Sequence, residues 1–170
     1  MEDRHRIILP HRIKYIANQI RKNEETIATT NGCFDIIHPG HLYSIHEARK
    51  KADRLIVCIN CDESVRRLKG ENRPFFGEYD RAKMLCSLRD VDYVTIFKED
   101  DPRKILSEIK PDFHIKSKHG YKGIEEQVIK NNGGKIVLVE DYNEVSSTDI
   151  IDYLTESIKN MFETGGLWSG

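Results

Sequence analysis

Gly32-Cys33-Phe34-Asp35-Ile36-Ile37-His38-Pro39-Gly40-His41 is the stretch that decides how this chain folds. A short apolar and β-branched run, Thr26-Ile27-Ala28-Thr29-Thr30, leads into it. Leu42-Tyr43-Ser44-Ile45-His46-Glu47-Ala48-Arg49 follows with helical spacing. The pattern predicts a strand over 26–31, a tight turn, and a helix that begins beside two histidines. A helix start carries unpaired N–H groups and the positive end of the helix dipole, so it attracts phosphate. Two imidazoles there can donate hydrogen bonds to phosphate oxygens as charge builds.

Outward from this turn, strand and helix alternate. Residues 11–22 carry Ile13, Ile16 and Ile20 at helical spacing, and 54–60 (RLIVCIN) form a continuous apolar strand, as in a sheet covered on both faces. Residues 64–69 read as a short basic stretch before the loop Gly70-Glu71-Asn72-Arg73-Pro74. A helix over 78–88 is expected to turn Tyr79, Ala82, Leu85 and Leu88 inward, as Leu42, Ile45, Ala48 and Ala52 do after the turn. Strands over 91–97, 113–116 and 135–140 alternate with helices opened by Asp101-Pro102 and closed by Asn132-Gly133-Gly134. Ser147 or Thr148 caps a last helix through 158. The expected fold is α/β, a Rossmann-like, doubly wound, five-stranded parallel sheet with ligands at the carboxyl ends of its strands. An N-terminal arm over 1–10, one domain over 11–160 and a flexible tail over 161–170 complete the layout.

Composition narrows the classes of function. The chain has 170 residues, 38% hydrophobic and 32% charged, with a formal net charge of -1, which fits a soluble globular domain and argues against bulk nucleic-acid binding. No apolar stretch approaches the roughly 20 residues that cross a bilayer, and no secretion signal opens the chain, so the expected location is the cytoplasm without membrane contact. Cys33, Cys58, Cys61 and Cys86 include one CxxC pair, but Cys58 lies inside a strand and no second pair exists; reduced thiols, not a metal site, are expected. No Gly-x-Gly-x-x-Gly follows any strand, which argues against a dinucleotide-dependent oxidoreductase.

For His38 and His41, a helix cap beside a half-buried histidine competes with a ligand site, and a zinc pair lacks the HExxH pattern. Glycine at 32, where the strand turns, and at 40, where backbone must approach a ligand, favours phosphate. Ser146-Ser147-Thr148-Asp149 reads as a second helix start with hydroxyls at its mouth. His46 and His114 read as structural.

The decapeptide resembles the signature of the nucleotidyltransferase superfamily of HxGH type that includes cytidylyltransferases and pantetheine-phosphate adenylyltransferases. Asn31-Gly32-Cys33-Phe34-Asp35, Asp53-Arg54-Leu55-Ile56-Val57, Ser64-Val65-Arg66-Arg67-Leu68-Lys69-Gly70 with Arg73-Pro74, Val91-Asp92-Tyr93-Val94, Phe97 with Glu99-Asp100-Asp101-Pro102, and Lys110-Pro111-Asp112 are similar to the adenylyltransferase domain of ADP-heptose synthases over about residues 11–155. In bifunctional members that domain follows a sugar kinase, and no kinase domain is present here.

The resemblance implies attack of a sugar 1-phosphate, heptose 1-phosphate first, on the α-phosphorus of a nucleoside triphosphate, ATP first, giving an NDP-sugar and pyrophosphate, with Mg2+ as cofactor. It implies catalytic roles for His38, His41, Lys69 and Arg81. Nucleotide contacts fall to Gly32, Cys33, Phe34, Gly40, Ser146, Ser147 and Thr148, the N–H groups of Cys33 and Phe34 cradling the α-phosphate. Acceptor contacts fall to Asp35, Arg73, Lys116, Lys118 and His119, although Asp35 also reads as a residue that fixes the turn and not as a base. A homodimer is carried over with the family.

One segment departs from the pattern. Where heptose adenylyltransferases show Lys-Gly-Gly-Asp-Tyr, this chain has Lys116-Ser117-Lys118-His119-Gly120-Tyr121, a gain of positive charge that would suit a more anionic acceptor. Two alternatives therefore stay open: a CTP-dependent cytidylyltransferase acting on a polyol or amino-alcohol phosphate, and a nucleotide-binding module without turnover.

Overall fold

The structure, a computed structural model, describes residues 6–118, 121–140 and 146–163. Its elements run β1 (Ile7–Ile8), α1 (Pro10–Lys22), β2 (Ile27–Gly32), α2 (Pro39–Arg49), β3 (Arg54–Asn60), α3 (Asp62–Lys69), α4 (Glu78–Cys86), β4 (Tyr93–Phe97), α5 (Arg103–Ile109), β5 (Phe113–Ser117), α6 (Glu126–Asn131), β6 (Lys135–Val139) and α7 (Ser147–Glu163).

The six strands form one sheet in the order β1-β4-β3-β2-β5-β6, and every pair is parallel. Side chains alternate across β3: Leu55, Val57 and Ile59 join Ile45, Ala48, Ala82 and Leu85 under α2 and α4. Ile56 and Cys58 join Ile13, Ala17, Ile20, Ile105, Leu106 and Ile109 under α1 and α5. Burial on both faces explains why RLIVCIN shows no polar alternation.

The chain leaves β2 toward β3 and β4 on one side, then returns to place β5 and β6 on the other. The order therefore reverses between β2 and β5, and a crevice opens there beyond the carboxyl ends. The decapeptide begins at Gly32, the last residue of β2, at the carboxyl end of that strand.

Three expectations need correction. The sheet has six strands, not five, because Ile7 and Ile8 pair with Val94 and Thr95 within the segment expected to be a loose arm. Arg6 holds this edge by donating to the carbonyls of Cys86 and Asp92. Residues 62–69 are a helix: Asp62 and Glu63 in its first turn and Arg66, Arg67 and Lys69 in its last match the helix dipole, although only Val65 and Leu68 are apolar. Leu42 and Tyr79, expected inward, are exposed, while Ile45, Ala48, Ala82 and Leu85 fill the core. The segment 164–170, within the expected tail, lies outside the described residues. Among the described residues no helix is long and apolar enough to cross a membrane.

Candidate active site

At Gly32 an added Cβ would meet the Phe34 ring at 3.2 Å, so the strand end tolerates glycine best. Phe34 takes φ of +48°, a left-handed conformation that few non-glycine residues adopt and that reverses the chain here. Asp35 is buried and accepts the Phe75 N–H at 2.6 Å while pairing with Arg73. It fixes the turn against the loop over 70–77, as one strand of the sequence reading expected. With both carboxylate oxygens engaged, Asp35 and Arg73 hold each other.

His38 occupies the N-cap of α2 with extended backbone, and Pro39 opens the helix. The His41 N–H closes on the His38 carbonyl at 2.9 Å. The two imidazoles lie with ring centroids 3.8 Å apart, and Phe34 sits 4.8 Å from His41 on the other side. Neither Nδ1 has a hydrogen-bond partner among the described residues, though both are buried atoms. Burial, reinforced by the neighbouring His38, drives His41 down to about 3. Burial lowers His38 too, with Asp149 pulling the other way. Both rings are thus neutral at pH 7 without a ligand, and an anion placed against them would raise both.

The second helix start meets the first. Ser147 donates to the Ile36 carbonyl at 2.8 Å. Ser146 and Asp149 cap α7 reciprocally, with the Ser146 N–H to the carboxylate at 2.6 Å and the Asp149 N–H to Oγ at 3.2 Å. Thr148 is exposed beside them.

Three cations gather at the turn. Burial raises the Cys33 thiol, and Lys69, Arg81 and Arg73 act against that rise. They differ in availability. Arg81 has no exposed surface and donates to the carbonyls of Cys33, Phe76 (3.0 Å) and Asn60 (2.8 Å) and to the Asp62 carboxylate (2.8 Å). In this arrangement it clamps backbone and has no exposed surface. Arg73 is matched by Asp35. Lys69, at the exposed end of α3 before Gly70 (φ +106°), has no acid partner among the described residues.

The loop after β5 departs from expectation. Lys116 reaches Asn31 Oδ1 at 3.2 Å and Glu125 at 3.4 Å, and Lys118 pairs with Glu140. Each lysine has an acid of its own, so among the described residues of this loop the positive charge of Lys116 and Lys118 is matched. His119 and Gly120 lie outside the described residues. Glu125, buried and nine residues away in sequence, gave no local signal of this role. Asp62 had one: it is the first acid beyond a strand's carboxyl end.

A cavity of about 530 Å3 lies at the starts of α3 and α4. Asp62, Glu63, Glu78 and Asp80 outnumber Arg66 and Lys98 around it, the wrong sign for a triphosphate.

A parallel sheet that opens a crevice at its switch point, and turns two helix starts into that crevice, is a phosphate-binding α/β architecture of the Rossmann type. The chain belongs to the cytidylyltransferase-like family, whose model matches residues 29–153. It is 42% identical over 150 residues to "Bifunctional protein HldE" of Haemophilus ducreyi, which spans 85% of this chain and 31% of the relative. It is 43% identical over 139 residues to the protein of that name from Nitratiruptor sp. (82% of this chain, 29% of the relative). The chain thus spans about a third of the length of these curated relatives. Among solved structures, the lipopolysaccharide core biosynthesis protein from Thermoplasma volcanium matches with TM-score 0.61 and 31% identity, over 70% of this chain and 99% of that one. The pantoate-beta-alanine ligase from Francisella tularensis matches with TM-score 0.58 at 16% identity, over 92% of this chain and 79% of that one, a likeness of fold.

Proposed function

We propose that this chain is a nucleotidyltransferase that joins a nucleoside triphosphate, ATP first, to a sugar 1-phosphate, heptose 1-phosphate first, releasing pyrophosphate. The observation that carries the reading is the pair of closely apposed, neutral imidazoles at the start of α2, abutted by the start of α7 through Ser147 and Ile36. An acceptor phosphate oxygen attacks the α-phosphorus, the bond to the bridging oxygen breaks, and pyrophosphate leaves; no covalent enzyme intermediate is needed. Catalysis is then alignment and charge stabilisation. His38 and His41 donate to the phosphate oxygens, Lys69 supplies the unmatched positive charge, and Ser146, Ser147 and Thr148 face the leaving pyrophosphate. Gly32 and Gly40 let backbone come close. Among the described residues no three His, Cys, Asp or Glu side chains could hold a metal ion, so magnesium would enter with the triphosphate, bound through its oxygens and water.

The matched lysines remove the reason to expect an extra anionic group on the acceptor. The pairing of Lys116 and Lys118 with acids supports an acceptor whose part beyond the phosphate is a neutral, hydroxyl-bearing body. A sugar meets that description, and so does a polyol. The second reading, CTP with a polyol phosphate, is favoured by the match to the cytidylyltransferase-like family.

Pyrophosphate release should be measured from ATP and from CTP, with magnesium, across heptose 1-phosphate, glycerol 3-phosphate and other acceptor phosphates. Turnover with ATP and heptose 1-phosphate is the expected result; turnover with CTP and a polyol phosphate alone would replace it with the second reading. Exchange of His41→Ala should cut turnover by about 100-fold or more while nucleotide still binds. Nucleotide binding without pyrophosphate release from any pair would leave a binding module.

A further inference from the structure

We propose that Arg81 is a positioning residue for this reaction: by holding the Cys33 carbonyl it aims the Phe34 N–H into the crevice, where that N–H binds the α-phosphate. The inference rests on the phosphoryl-transfer reading of the turn. It assigns the buried arginine a role that neither surface charge nor simple packing gives it.

The geometry follows from one peptide bond. Arg81 donates to the Cys33 carbonyl, and the same guanidinium grips the Asn60 carbonyl at the end of β3 and Asp62 at the start of α3. The only cis peptide among the described residues joins Arg73 and Pro74, so the Cys33–Phe34 bond is trans. In a trans peptide the C=O and the N–H point in opposite directions within one rigid plane. With the oxygen tied down to Arg81, the Phe34 N–H must face the other way. No protein acceptor for it exists among the described residues.

The plane cannot rotate to relieve this. Phe34 is locked at φ of +48°, its ring is buried, and the ring packs 4.8 Å from His41. A charged donor on the carbonyl also polarises the peptide, which makes its N–H a stronger donor. The N–H lies in the same turn as His38 and His41, so one anion can meet all three. A direct phosphate contact by Arg81 would instead require it to leave four acceptors and a site with no solvent exposure.

The test removes the N–H and, because the Cys33 carbonyl becomes an ester carbonyl, also weakens the acceptor that Arg81 holds. An amide-to-ester change at Phe34, introduced as phenyllactate in the full chain, is compared with Arg81→Lys and with the two combined. Each single change should lower kcat by about 100-fold with little change in KM for ATP, as for loss of one oxyanion donor. The combination should add almost nothing, because both changes act through one hydrogen bond. Losses that multiply would overturn the proposal, and so would a rise in KM with kcat intact in Arg81→Lys.

Because Arg81→Lys could fail to fold, Asp62→Asn serves as a second variant; it loosens one anchor of Arg81 at a half-exposed position. It should lower kcat in the same direction, and an unchanged kcat overturns the proposal. A separate readout needs no turnover. In the 15N-labelled protein titrated with inorganic pyrophosphate, the Phe34 amide resonance should shift, and in Asp62→Asn that shift should shrink. A Phe34 amide that ignores bound pyrophosphate sinks the inference. A Phe34 shift in a protein that never releases pyrophosphate from any nucleotide sinks the enzymatic reading and leaves the anion contact standing.

Discussion

His41 and His114 are both pushed down to about 3, and burial is the leading cause in each. Their settings differ. His41 faces the crevice, where an anion would raise it again. His114 is sealed in the sheet, with Nδ1 2.8 Å from the Thr29 hydroxyl and Nε2 without a partner among the described residues. A histidine whose folded pKa lies below its unfolded value binds its proton first in the unfolded chain. Stability is therefore full above about pH 6.5 and declines as pH falls from there toward 3, by up to about 1.4 kcal/mol per pH unit for each such group. The melting temperature should drop between pH 7 and pH 5, before the carboxylates titrate. In His114→Gln the drop should be shallower, whatever the starting stability. Equal slopes in the two proteins would remove His114 from the account.

Single residues also show where sequence reading stops. Asp35 read as a turn-fixing residue, and the bond from the Phe75 N–H bears that out. The pull of Lys69, Arg81 and Arg73 on Cys33 shows that all three basic residues do come to the turn. Their division of labour was not legible, because it depends on Asp62 and Asp35 taking up two of the charges. Pairing of this kind is set by tertiary approach: Arg81 meets Cys33 across 48 positions.

At the scale of elements, the strongly periodic segments were read well and the sparse ones poorly. β3 spans the residues its apolar run predicts. α3 was missed because it is only eight residues long, with Val65 and Leu68 as its apolar residues among charged ones. The Ser/Thr-rich start of α7 was legible as a cap, but no capping pattern reveals that Ser147 crosses to Ile36. Gly134, expected as the stop of a helix, has a second duty. A Cβ there would stand 2.2 Å from the Pro111 carbonyl and 3.1 Å from Ile129, so β6 can enter the sheet beside β5 only through a residue without a side chain. Gly134→Ala should cost about 1–3 kcal/mol, as overpacking does. At about 2–4 °C per kcal/mol for a chain of this size, a thermal melt followed by circular dichroism resolves it. An unchanged melting temperature would mean that the two backbones separate without cost.

The whole molecule places His38 and His41 beside the point where strand order reverses, so a ligand held there would share the ends of β2 and β5 with the fold. The alternation of strands and helices made that crevice legible, although not the sixth strand, since two residues at an edge leave almost no pattern. Coupling between site and sheet has a measurable consequence. A ligand at 100 times its Kd adds about 2.7 kcal/mol to the stability of the state it binds. For this chain length that raises the melting temperature by about 5–10 °C. MgATP should give the larger rise and MgCTP the smaller if the adenylyl reading holds, and the reverse order would favour the cytidylyl one. The rise should also depend on pH. His38 and His41 are neutral in the free protein and gain protons against an anion, so triphosphate binding takes up protons and tightens as pH falls. The increment from MgATP should be greater at pH 6.5 than at pH 8, and His41→Ala should reduce the difference. An increment that stays level across that range would mean the imidazoles remain neutral beside the triphosphate, leaving Lys69 and the backbone N–H groups to carry its charge.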